Sequence, residues 1–194
     1  TWTPSTGNHH AFLVSYNEAI SISDYFTVRS NDEVVYRPTC HYAYRPTDAT
    51  IVSLNEVIKN NYKPLKEMHV LESDEIKSGM DELGVLIYGH AKNAYWYGSQ
   101  LSIEEARELA PHQNATGLQV ASALVAGIIW AIRHPEEGLV EVDEMDFEEC
   151  NELQKPYLGR VSGYYTDWNP LKSLGSDRIL KDDSDPWQFT NIRV

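Results

Sequence analysis

Two histidines, His9 and His10, stand side by side, and Asn17 and Glu18 follow them closely. An imidazole and a carboxylate within reach of one another can move protons to and from an amine or an imine. The plainer reading makes both histidines surface residues at the start of a strand. A second group centres on His41 in "TCHYAYRP". On an extended strand His41, Ala43 and Arg45 face one way, and Cys40, Tyr42 and Tyr44 the other. Tyr42 and Tyr44 then form an aromatic row, whose ring faces attract a cation or pack in a core. A third group is Asn114 and Thr116 in "NATG", which opens a helix. The free N–H groups of a helix N-terminus suit an anion, although every helix has one.

Other chemistries lack their residues. His69, His90, His112 and His134 are isolated from the cysteines and from one another, so no metal site is expected. There is no G-x-S-x-G, no phosphate loop, and no G-x-G-x-x-G after a strand.

The elements that must position these groups follow from periodicity. Residues 11–28 read as a strand, a helical turn near Asn17 and Glu18, and a second strand. "SNDE" is a turn, and "VVYRPTCHYAY" is strand-like. "YRPT" occurs twice, at Tyr36 and Tyr44, and places a proline where a strand must end, bulge or lie at an edge. "TDATIVSLNEVIKNN" predicts a capped amphipathic helix, with Ile51, Leu54, Val57 and Ile58 on one face. "KEMHVLES", "DELGVLIYG" and "NAYWYGSQLS" read as strands. Ser102 and Glu105 form a capping box, and Pro111 ends that helix. Asn114 or Thr116 caps a long apolar helix that stops near Pro135, and a further helix covers residues 146–154. From Pro156 onward the chain reads as an ordered wrapping tail, because it carries Trp168, Trp187 and Phe189. Strands precede helices, which predicts an α+β fold with a mixed, largely antiparallel sheet and flanking helices.

Composition narrows the function further. The 194 residues are 42% apolar, enough for a sizeable core, and include twelve tyrosines and five tryptophans. A net charge of −13 argues against nucleic acid and is compatible with a cationic substrate or simple solubility. Between Arg133 and Lys155 lie nine Asp or Glu and no Lys or Arg, the pattern of a solvated helical face. Cys40 and Cys150 form no disulfide framework, and no secretory leader opens the chain, so a cytoplasmic location is expected. The apolar run of residues 118–132 is fifteen residues long and holds Gln119 and Ser122. A membrane span needs about 20, so a buried helix is expected and no membrane. The chain begins at Thr1, without Met, as a fragment or processed chain would.

Several stretches together carry a resemblance: "HHAFLVSYNEAISISDYFTVR", "VYRPTCHYAYRP", "DELGVLIYGHAKNAYWYGSQLSIEEAR", "APHQNATGLQVASALVAGIIWA" and "YTDWNPL…DPWQF". The chain resembles, over essentially its whole length, the carboxyl-terminal portion of the bacterial homospermidine synthases, within the saccharopine-dehydrogenase-like group. The resemblance implies that two putrescines give homospermidine and ammonia, with NAD as the reversible oxidant. One amine carbon becomes an imine, the second diamine attacks it, ammonia leaves, and the new imine is reduced. It implies His10 and Glu18 as catalytic residues, with Asn17 on the substrate side and Asn114 and Thr116 at the cofactor; His41 and Tyr42 are the substrate-side candidates that the strand reading adds.

The resemblance also implies an amino-terminal dinucleotide-binding domain of Rossmann type upstream of these residues. One side of the apolar helix would pack on it. Residues 1–113 are then a substrate-side and dimerisation domain, and residues 114–194 the returning helix, the acidic helix and the tail. A homodimer is implied, and the isolated chain is expected to be inactive. Two alternatives stand beside this reading. A related saccharopine or carboxyspermidine-type oxidoreductase would need an arginine for a substrate carboxylate, and Arg29, Arg37 and Arg45 are the candidates. The other is a non-catalytic binding or dimerisation module.

Overall fold

The computed structural model describes residues 1–64, 66–171 and 184–193. In chain order the strands and helices are β1 (Trp2–Thr3), β2 (Gly7–Asn8), β3 (Phe12–Val14), α1 (Asn17–Tyr25), β4 (Val28–Ser30), β5 (Glu33–Tyr36), β6 (Tyr42–Tyr44) and α2 (Asp48–Lys59). They continue with β7 (Met80–His90), β8 (Asn93–Ser102), α3 (Ile103–Leu109), α4 (Ala115–Arg133), α5 (Phe147–Gln154), β9 (Arg160–Thr166) and α6 (Phe189–Ile192). The chain divides into two compact units. The first holds Thr1–Trp2, Thr6–Val70 and Trp168–Val194; the second holds Thr3–Ser5 and Leu71–Asp167.

In the first unit β3 pairs antiparallel with β6, and β4 with β5. The β4–β5 connection is two residues long, and Asn31 and Asp32 both take positive φ, as a tight hairpin turn requires. The helical turn expected at Asn17 is a nine-residue helix, α1. Its isoleucines and serines suggest a strand by propensity, but the Thr27 hydroxyl donates to the Ser23 carbonyl at 2.8 Å and closes the helix end. The strand run of residues 34–44 splits in two. Pro38 has no N–H for a ladder, and its carbonyl accepts from the Ser23 hydroxyl at 3.0 Å. α2 starts as predicted, with the Thr47 hydroxyl accepting from the Thr50 N–H.

The second unit is built on β7–β8–β9, antiparallel throughout. β9 lies in what reads by sequence as tail. Gly163 breaks the apolar pattern of that strand, and the structure shows why it is glycine: a Cβ there would lie 1.8 Å from the Tyr95 hydroxyl oxygen. Residues 66–73, expected as a strand, form none; Met68, Val70 and Leu71 are exposed, and among the described residues no strand pairs with them. The core is Leu101, Ala106, Ala115 and Leu118, where α3 and α4 meet the end of β8. Ser102 and Glu105 form the predicted capping box, and Asn114, rather than Thr116, caps α4 by accepting from the Gly117 N–H at 2.7 Å.

α4 has 19 residues, beginning earlier than the apolar run, and is long and apolar enough to cross a membrane by length and composition. Its buried side is Ala115, Leu118, Gln119, Ser122, Ala126 and Trp130. On a 3.6-residue wheel, Val120, Leu124 and Ile128 fall opposite that side, and all three are exposed. The helix is therefore apolar on both faces but covered on one.

Candidate functional site

The first unit gathers most of the sequence-predicted substrate residues around the start of α1. β3 runs into this helix, so Tyr16 is its N-cap and Asn17 and Glu18 are in its first turn. Glu18 is exposed, at the helix end whose dipole favours a carboxylate. The Val14↔Tyr42 register pair brings Tyr42 beside this turn, and Tyr42 stacks on Tyr16 with centroids 4.6 Å apart and planes at 17°. Tyr44, two residues on, sits opposite Phe12 on the same face. The aromatic row foreseen at Tyr42 and Tyr44 thus exists and is extended by Tyr16. Its signal was present in the sequence as a tyrosine just before an Asn-Glu helix start, but only strand pairing places it on Tyr42.

A shallow groove runs beside the stack, lined by Leu13, Tyr16, Ala19, Ile20, Cys40 and His41. A second groove, on the side of Asn17, includes Asp24, Arg37 and Cys40. Cys40 and His41 precede β6, so strand alternation does not part them and both line the first groove. Burial pushes the Cys40 thiol up. Burial holds His41 below the usual histidine range. His10, Glu18 and Tyr42 line neither groove, and His10 and Glu18 are exposed. Among the described residues no hydrogen bond or ion pair joins His10 to Glu18. Two of the three candidate carboxylate-binding arginines are engaged within the chain. Arg37 donates to the Thr27 hydroxyl at 2.9 Å and to Asp24 at 3.4 Å, and Arg45 donates to Asp48 at 2.8 Å. Among the described residues no three His, Cys, Asp or Glu side chains converge as a metal site.

The second unit holds the residues expected at a cofactor. The Asn114 Oδ1 is occupied by the Gly117 N–H, and the Thr116 hydroxyl donates to the Asp81 carboxylate at 2.7 Å. A Cβ on Gly117 would lie 2.7 Å from Gln113 Oε1, so the chain's own side chains fill this turn. A carboxylate and a satisfied N-cap oppose a pyrophosphate here. They suit an uncharged part of a dinucleotide, such as a ribose hydroxyl or a carboxamide, which the Asn114 amide can donate to and the Asp81 carboxylate can accept from. Behind them, Gln119 donates to the Ser99 hydroxyl at 3.0 Å and Ser99 donates to the Leu83 carbonyl at 3.3 Å. This buried chain of hydrogen bonds fixes α4 on β7 and β8, and periodicity alone gave no sign of it.

Comparison with known proteins gives a consistent result. The saccharopine dehydrogenase C-terminal domain family matches residues 1–167. A homospermidine synthase of Mesorhizobium japonicum is 57% identical over 196 aligned positions, covering all of this chain and 40% of that protein. One from Blastochloris viridis is 54% identical over 198 positions, covering all of this chain and 41% of its own length. The crystal structure of the homospermidine synthase of Legionella pneumophila in complex with NAD superimposes with a TM-score of 0.92 at 50% identity. It covers all of this chain and 42% of that one. The chain thus spans about two fifths of the length of the relatives it matches.

Proposed function

Because this chain belongs to the saccharopine dehydrogenase C-terminal domain family, we propose that it is the substrate-side part of an NAD-dependent homospermidine synthase, a cytoplasmic enzyme that makes homospermidine and ammonia from two putrescines. The observation that carries this reading is the stacked Tyr16–Tyr42 pair at the start of α1, the helix whose first turn holds Glu18. A diamine is a flexible dication, and aromatic faces and carboxylates are the two chemistries that hold an ammonium. With Arg37 and Arg45 each engaged by an aspartate, Arg29 is the remaining candidate for a carboxylated substrate, and it lines neither groove.

The chain's own residues then have distinct tasks. Glu18 binds one ammonium and takes its proton, because only the neutral amine is a nucleophile. The tyrosine stack and Leu13 lie along the methylene chain, with Asn17 as a hydrogen-bond partner at the helix start. His41, held below its usual range by burial, offers a neutral imidazole. His10 assists as an exposed proton carrier. NAD, when bound, supplies the reversible two-electron oxidation that turns an amine carbon into an imine carbon and back. Asn114 and Thr116, backed by Asp81, contact an uncharged part of it. A dinucleotide-binding domain in the full-length enzyme covers the open stripe of α4, and the enzyme works as a homodimer. The isolated chain is inactive.

The test is Glu18→Gln in the full-length enzyme. Turnover of putrescine should fall by at least about tenfold, the scale of a lost proton transfer. Unchanged turnover removes Glu18 from the chemistry and, with it, the main support for a diamine site on this unit.

A further inference from the structure

The two grooves on the first unit share a stretch of wall. Ala19, Ile20 and Cys40 line both of them. The grooves are therefore two ends of one crevice, with α1 on one side and residues 37–41 on the other. Its walls are bonded to each other. The Ser23 hydroxyl donates to the Pro38 carbonyl at 3.0 Å, and Arg37 donates to Asp24 at 3.4 Å. Where the two ends meet, Ile20 is exposed, and the half-buried walls are the short side chains of Ala19 and Cys40. The ends differ in character. Leu13 and Tyr16 line one end only, and Asn17, Ser21 and Asp24 only the other. A helix rises about 1.5 Å per residue, so the wall from Tyr16 to Asp24 is about 12 Å long. An extended chain advances about 1.2 Å per bond, so putrescine spans about 6 Å between its nitrogens and homospermidine about 12 Å between its terminal ones.

We propose that the crevice is a product-length site: homospermidine lies along α1 with one four-carbon arm in each groove, and Ala19 and Cys40 are the specificity-determining residues that let it pass between them. The proposal rests on the reading of this unit as the diamine site and extends it, because one putrescine fills only half the wall. One arm lies against Leu13, with its ammonium at the Tyr16 ring face. The central nitrogen crosses the saddle between Ala19 and Cys40. The other arm ends at Asp24, where Arg37 meets Oδ1 and a carboxylate still has lone pairs for an ammonium. A larger side chain on the saddle divides the crevice and leaves room for a diamine, but not for the triamine.

The experiment is calorimetric titration of the full-length, NAD-loaded enzyme with putrescine and with homospermidine. Ala19→Leu and Cys40→Leu fill the saddle from opposite walls, so a folding defect in one would not hide the result. In each, homospermidine affinity should fall at least about tenfold, the scale of two methylenes turned out of an apolar groove, with putrescine affinity within about twofold of wild type. Ala19→Ser keeps the saddle open and should bind both amines as the wild type does. Unchanged homospermidine affinity in the leucine variants, or equal losses for the two amines, overturns the proposal. A selective loss of homospermidine in Ala19→Ser as well overturns the steric role of the saddle. Tyr16→Ala separates these failures from failure of the diamine site. If it weakens putrescine, the diamine site stands and the leucine variants alone decide the proposal. If it leaves putrescine affinity unchanged, the diamine site on this unit and the proposal fall together.

Discussion

The two units carry their residues in opposite ways. In the second unit, β8 and the start of α3 are closely packed: Ala94, Trp96, Leu101, Ile103 and Ala106 are at most 2% exposed. In the first unit, α1 and α2 contain no buried residue at all. Ile20 is 70% exposed and Val52 68%. The first unit also carries Tyr16, Asn17, Glu18 and Tyr42, the groups proposed to hold a diamine. The difference separates two uses of apolar surface. On β8 and α3 it stabilises the fold; on α1 and α2, as on the uncovered stripe of α4, it is left open, where a ligand, a further domain or a second subunit can take it up. Apolar surface that is solvent-exposed adds little to folding stability, so the chemistry sits on the less self-supporting part.

The largest effect that would break this comparison is on folding. Leu101→Ala removes a wholly buried side chain from the cluster with Ala106, Ala115 and Leu118. It should cost about 3 kcal/mol, the mid-range for a buried leucine truncated to alanine. Ile20→Ala, on the open face of α1, should change stability by less than about 0.5 kcal/mol. Urea unfolding followed by tryptophan fluorescence compares the two. Equal losses would mean that the first unit is supported by packing in the same way as the second.

The same contrast explains what could be read from the sequence. The helix starts were legible because caps are local: Ser102 with Glu105, Thr47, Asn114 and Asp146 all stand at the head of their helices. The antiparallel β7 and β8 were legible as long runs bounded by turns. β9 was not, because Gly163 is there to make room for Tyr95, a contact fixed by a strand far away in the chain. The false strand at residues 66–73 has apolar residues but nothing to pair with, and pairing is invisible to a local pattern. At the candidate site the tyrosine row was legible by alternation, while the Tyr16 stack needed the β3–β6 register and the His41–Phe189 contact needed the fold of the tail.

Of intermediate size is the effect of Asn114→Ala. The side chain caps α4 at 2.7 Å, and losing such a cap costs about 1 kcal/mol. If the same side chain also meets NAD, the full-length variant should lose cofactor affinity beyond that stability loss, and Asn114→Asp separates the two. Aspartate caps as well as asparagine does, but it cannot donate. Stability preserved with weakened NAD binding in Asn114→Asp supports the contact; both preserved removes it and leaves Asn114 as part of the scaffold, alongside Leu101.

The smallest effect lies where the second unit relies on charge. Glu149, near the start of α5, accepts from Arg133 at 2.7 Å and from the His134 ring at 2.9 Å, so one carboxylate ties α5 to the end of α4. The hydrogen bond from Arg133, then that from His134, holds the Glu149 carboxyl below its ordinary value of 4.5. A carboxyl depressed in the folded state adds stability that is complete above the unfolded value and is lost as pH falls through the folded one. The contribution of Glu149 is therefore full near pH 7 and fades below about pH 4.5. Glu149→Gln should leave the slope of the acid limb of the stability curve shallower, with a small loss at neutral pH, because partly exposed pairs are screened by water and salt. In the first unit the exposed Arg37–Asp24 pair is longer, at 3.4 Å, and Asp24→Asn should cost less stability at neutral pH than Glu149→Gln does. A larger loss from Asp24→Asn than from Glu149→Gln would reverse the comparison, placing the charge-supported structure in the unit that carries the proposed substrate residues.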